Sequence, residues 1–98
     1  MNLKPETEQQ WNLFQKLWEA LPKIKRCWSC DARIFGPNKP LYWDHLLEKN
    51  KYPELRLEPK NLFFCCGDCH QKKNMGWPTV KHKEAIEQAK QLLNQKTN

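Results

Sequence analysis

Two Cys-x-x-Cys pairs, Cys27-Trp28-Ser29-Cys30 and Cys66-Gly67-Asp68-Cys69, limit what this chain can fold into more than any other feature. Each pair presents two thiolates from one tight turn, and two pairs complete the tetrahedron of a structural zinc site. The 35 residues between them (31–65) exceed the spacing of a compact zinc ribbon, so a substantial segment is inserted between the knuckles. A fifth cysteine, Cys65, makes the count odd, and five cysteines cannot all pair within one chain. Cys65 is a looser alternative to Cys66, because Cys65-x3-Cys69 fits a knuckle less well. It also lies on the opposite strand face, which suits a small buried apolar residue. His70 is a further alternative ligand, but four well-spaced thiolates do not need it.

A chain of 98 residues reads as one domain, 1–98, with a modest core that gains from such a staple. The opening MNLKPETEQQWN is polar and charged, without the apolar stretch of a secretory signal. No run approaches the ~20 apolar residues that span a bilayer. The expectation is a cytoplasmic, reducing setting with no membrane partner, where paired cysteines hold metal and not disulfides. The net charge of +6 and pI near 9.2 suit an anionic partner, most simply nucleic acid, and suit a merely soluble basic surface about equally well.

Taken in order, residues 6–21 carry Trp11, Phe14, Leu17, Trp18 and Leu21 at helical spacing, with Thr7 and Gln10 placed for a capping box and Pro22 ending the run. Residues 1–22 thus form an N-terminal helix. Lys23–Arg26 reads as a basic connector, and Arg33-Ile34-Phe35 as a short strand. Residues 41–47, LYWDHLL, are strand-like; strict alternation would separate Asp44 from His45 unless a bulge or twist near the strand end lets both reach one site. The Pro-punctuated stretch 48–60 is a loop tacked down by Tyr52 and Leu55. Asn61 opens a short buried strand, a helix starts near Gly67-Asp68 with Asp68 as its cap, and Gly76-Trp77-Pro78 breaks it. Thr79 caps a last helix over 80–95, with Ala85, Ile86, Ala89, Leu92 and Leu93 as its apolar face. Trp77 reads as a packing residue and His82 as a surface helix residue.

The ordered set Cys27-x-x-Cys30, Asp44-His45, Asn61 and Cys66-x-x-Cys69-His70-x-x-Lys73 resembles the HNH nuclease signature, and the string from Asp44 to Asn74 is similar to small phage and prophage HNH proteins. The resemblance spans about 27–74, roughly half the chain, and the core it implies is 27–75. It implies an α+β fold: a ββα-metal core stapled by a four-cysteine zinc site (Cys27, Cys30, Cys66, Cys69), with the terminal helix of 1–22 before it and that of 79–98 after it. It implies a metal-dependent endonuclease that nicks or cuts DNA in a bacterial host cell, as monomer or homodimer. His45 would be the general base, Asp44 and His70 the ligands of one divalent cation (Mg2+, Mn2+ or Ni2+), and Asn61 the residue that holds the loop carrying His45. Lys72 and Lys73 would approach the DNA backbone. The residue types suit the chemistry: an imidazole can deprotonate water near neutral pH, and a carboxylate-held cation offsets charge on the phosphate. The other readings are a non-catalytic zinc-bound adaptor or inhibitor of phage origin that keeps the HNH shell, and a purely structural zinc ribbon.

Overall fold

A computed structural model describes residues 5–96 as a small α+β protein with helices and two small antiparallel sheets. Helix α1 runs over Pro5–Ala20, so Thr7 lies inside it and is no cap; proline at the start supplies a φ suited to the first turn. Its stripe meets the second sheet. The ring of Phe14 stacks on Trp43 with centroids 5.8 Å apart, and Trp18 meets Phe64 edge-on at 5.9 Å. Asn38 ties this layer together: its Oδ1 accepts from Trp43 Nε1 at 2.8 Å, and its Nδ2 donates to the Phe14 carbonyl at 3.2 Å.

The second half of the basic connector is in fact a strand. β1 (Lys25–Arg26) pairs antiparallel with β2 (Arg33–Ile34), and the first cysteine knuckle is the turn between them. β3 (Trp43–His45) pairs with β4 (Leu62–Phe64) in the register Trp43 to Phe64, Asp44 to Phe63 and His45 to Leu62. The ladder is regular over these three rungs, so no bulge is needed. The strand is shorter than the apolar pattern of 41–47 suggests because Pro40–Tyr42 forms a 3-10 turn. Two more such turns, Pro53–Leu55 and Pro59–Asn61, structure the long insert, and each of the three opens on proline. Leu55 is fully buried and pins the insert to the core.

Helix α2 (Gly67–Asn74) follows β4 directly. Its N-cap position is Cys66, so Asp68 sits within the first turn. Gly67 is closely packed: a Cβ there would lie 2.7 Å from a Leu41 methyl carbon. Gly76, at φ +86°, turns the chain away from α2. The C-terminal helix is two pieces, α3 (Val80–Ala89) and α4 (Gln91–Lys96), and residues 97–98 of the expected single helix lie outside the described residues. Thr79 caps α3 as expected, its hydroxyl accepting from the backbone N–H of His82. Among the described residues, no helix is long and apolar enough to cross a membrane.

Candidate functional site

The two knuckles converge. The sulfurs of Cys27, Cys30, Cys66 and Cys69 all lie within 4.8 Å of one another, while Cys65 is buried elsewhere and outside the cluster. Zn–S bonds of ~2.3 Å in a tetrahedron place sulfurs ~3.8 Å apart, and Cys30 Sγ and Cys66 Sγ are 3.8 Å apart. All five cysteines are free thiols. Burial alone would raise Cys27, but the backbone N–H groups of Cys30, Cys66 and Ser29, 3.3–3.4 Å from its sulfur, outweigh that and lower it. Burial pushes the Cys66 thiol up and the Cys69 thiol to about 12. Thiols raised in this way, Cys66 and Cys69, become thiolates when a cation supplies the compensating charge. The four cysteines can therefore hold a metal such as zinc.

One residue beyond Cys69, the chain reaches a second group of side chains. Asp44, on β3, is nearly fully buried and is surrounded by three partners. His70 Nε2 stands 3.4 Å from Asp44 Oδ1, Lys73 Nζ lies 3.1 Å from the same oxygen, and His82 Nε2 donates to Oδ2 at 2.9 Å. The spacing of His70 and Lys73, one α-helical turn apart on α2, puts both on the face toward β3. His70 Nδ1–H donates to the Leu41 carbonyl at 2.6 Å, which leaves Nε2 as the nitrogen facing Asp44.

His45 lies at the end of the same strand. Its Nε2 bonds the Arg56 carbonyl at 2.9 Å; a carbonyl only accepts, so Nε2 carries the hydrogen and Nδ1 the lone pair. Burial lowers the His45 pKa below its ordinary value, helped by the charges of Lys49 and Lys73 and opposed by the Arg56 carbonyl and Asp44. Asp44, His45, His70, Lys49 and Lys73 line one open cleft of about 570 Å³. Asn61, fully buried, brackets the insert: Oδ1 accepts from Leu47 N–H at 2.8 Å, and Nδ2 donates to the carbonyls of Leu47 and Leu55, each at 3.2 Å.

Two sequence expectations change here. His82 is not a surface residue: its side chain is 0% exposed, stacked on Phe63 at 4.4 Å and bonded to Asp44. The signal was in the pattern, since 82, 85, 86, 89, 92 and 93 form one stripe at helical spacing. Trp77, read as packing, is 76% exposed. Of the two lysines, Lys72 is exposed, whereas Lys73 is committed to Asp44 and to the His45 carbonyl at 3.1 Å. Compared with known proteins, the chain matches no family model, no curated protein and no solved structure.

Proposed function

We propose that this protein is an HNH-type, metal-dependent DNA endonuclease whose ββα-metal unit is β3, β4 and α2, stapled by zinc on the four cysteines. The observation that carries this is the meeting of Asp44 Oδ1 and His70 Nε2, 3.4 Å apart in a cleft that also receives His45. A carboxylate oxygen and an imidazole nitrogen at this separation are within reach of one divalent cation with ligand bonds of ~2.1 Å, and two protein ligands leave positions open for water and phosphate. The residues therefore fit a catalytic cation.

A cation held there would offset charge on the scissile phosphate and the leaving oxygen. Asp44 and His70 would hold it. His45 takes the proton of the attacking water at Nδ1, since Nε2–H is fixed by the Arg56 carbonyl. Its lowered pKa keeps it unprotonated at neutral pH. Asn61 fixes Leu55, the neighbour of that carbonyl, and so fixes the tautomer at one remove. Lys73 pairs with Asp44 Oδ1 at 3.1 Å, and a divalent cation on that oxygen would free its ammonium for a DNA phosphate. Lys49 and Lys72 and the net charge of +6 favour the DNA backbone, with affinity that falls steeply as salt rises.

The test is nicking of supercoiled plasmid with Mg2+, Mn2+ or Ni2+. Wild type nicks, and His45→Ala and Asp44→Asn lose at least a hundredfold in rate, within the usual range for a general base. Equal nicking by His45→Ala refutes the assigned base. No nicking with any of the three ions favours the zinc-bound adaptor instead.

A further inference from the structure

His82 has no part in the signature that suggested the nuclease, yet it is among the most buried side chains of the protein. It arrives from α3, outside the ββα unit, and lies on the rung that carries Asp44: Phe63, on which its ring stacks, is the cross-strand partner of Asp44. Asp44 Oδ2 accepts from His82 Nε2–H, which leaves Oδ1 as the oxygen facing His70. The other ring nitrogen, Nδ1, is buried without a partner among the described residues, so this ring is held by one bond and one stack.

What places His82 is equally specific. Its backbone N–H donates to Thr79 Oγ1 at 3.2 Å. Thr79 Oγ1 is hydrogen-bonded to Ser29 Oγ, in the middle of the first knuckle. The Ser29 backbone N–H lies 3.3 Å from the Cys27 sulfur. The chain therefore runs from His82 N–H to Thr79 Oγ1, across the hydroxyl–hydroxyl bond to Ser29, and from Ser29 N–H to the Cys27 sulfur.

We infer that Ser29, Thr79 and His82 form a positioning chain that transmits the location of the four-cysteine site to Asp44, with His82 orienting the carboxylate for its cation, a role that rests on the nuclease function proposed above. Metal-bound carboxylates are commonly held by such outer partners, and losing one typically costs roughly 10–100-fold in metal affinity. His82→Phe keeps the stack on Phe63 and removes the donor. His82→Gln restores an N–H near the position of Nε2.

The experiment measures Mn2+ affinity of the zinc-loaded protein, without DNA, from loss of the free-ion EPR signal. The expected order is wild type and His82→Gln within about threefold of each other, His82→Phe at least tenfold weaker, and Asp44→Asn without site binding. Wild-type affinity in a folded His82→Phe overturns the positioning role and leaves the Asp44 site standing. No binding by wild type, or equal binding by Asp44→Asn, overturns the nuclease site and the positioning role together. If His82→Phe does not fold, wild type supplies the answer by long-range 1H–15N correlation of the His82 ring. A protected Nε2–H that shifts on saturation with Mg2+ supports the role. An Nδ1–H tautomer, or a resonance that does not move, overturns it.

Discussion

Asn61→Ala is the substitution whose cost can be worked most directly from the structure. The Asn61 amide is fully buried and makes three bonds, accepting from Leu47 N–H and donating to the carbonyls of Leu47 and Leu55. Alanine leaves the Leu47 N–H and the Leu47 carbonyl buried without a partner, whereas the Leu55 carbonyl keeps the Glu58 N–H at 3.2 Å. A hydrogen bond contributes about 0.5–1.5 kcal/mol net and an orphaned buried partner costs about 1–3 kcal/mol, so two orphans and one lost bond come to about 3–7 kcal/mol. That is a large share of the roughly 5–15 kcal/mol that holds a domain of this size. In a domain of this length each kcal/mol moves the midpoint by roughly 4–8 °C, so thermal unfolding of the zinc-loaded protein should start about 12 °C or more lower. Asn61→Asp should be no better, since it keeps the acceptor for Leu47 N–H but sets a carboxylate oxygen against two carbonyls. The assay is thermal denaturation by circular dichroism without divalent cation or DNA, which isolates the scaffold from catalysis. A midpoint for Asn61→Ala within about 3 °C of wild type would refute the bracket as drawn.

Three further outcomes follow from the same geometry. Zinc on a four-cysteine site contributes on the order of 10–16 kcal/mol, comparable to the whole stability of a small domain, so chelation or Cys27→Ser should abolish the helical signal; wild-type circular dichroism after chelation would contradict this. Cys65 is fully buried, and burial, with nearby negative charge, pushes its thiol far above the ordinary range; iodoacetamide should spare it in the native protein and modify it after chelation, as mapped by peptide mass spectrometry, whereas labelling of native Cys65 as fast as in the chelated protein would contradict the assignment. Because His45 is lowered from its ordinary value near 6.5 and acts in its unprotonated form, the nicking rate should keep its plateau as pH falls to that value and decline only below it; an acid limb centred above pH 7 would contradict the environment assigned to His45.

The parts of the fold that were legible in the sequence are those in which chemistry or period dictates geometry. Two cysteine pairs have few arrangements that satisfy four sulfurs, and the four do cluster. The stripe of α1 and the Thr79 cap are likewise local patterns with one physical solution. The connector Lys25–Arg26 was missed because a two-residue strand carries no periodicity; it pairs only because the knuckle turn brings Arg33–Ile34 beside it. The separation of Asp44 from His45 by strict alternation was too severe. The strand ends at His45, and both side chains line the cleft without any bulge. His82 was missed for a different reason: a histidine on a helix flanked by Lys81 and Lys83 looks solvated, and only its phase relative to Ala85, Ile86 and Ala89 places it inside. Its partner, 38 residues earlier, is a tertiary fact that no local pattern carries. Lys73 was legible as a basic residue of the site but not as a partner of Asp44, which depends on the depth at which the carboxylate is buried.

The central claim is that Asp44 and His70 share a divalent cation separate from the metal of the four cysteines. Anomalous diffraction from crystals of the zinc-loaded protein soaked in Mn2+, collected on either side of the manganese edge, tests it directly. The expected result is a manganese-specific peak between Asp44 Oδ1 and His70 Nε2, with Lys73 displaced from the carboxylate and a distinct zinc peak among the cysteine sulfurs. A zinc peak alone, with Lys73 still on Asp44 at saturating Mn2+, would contradict it.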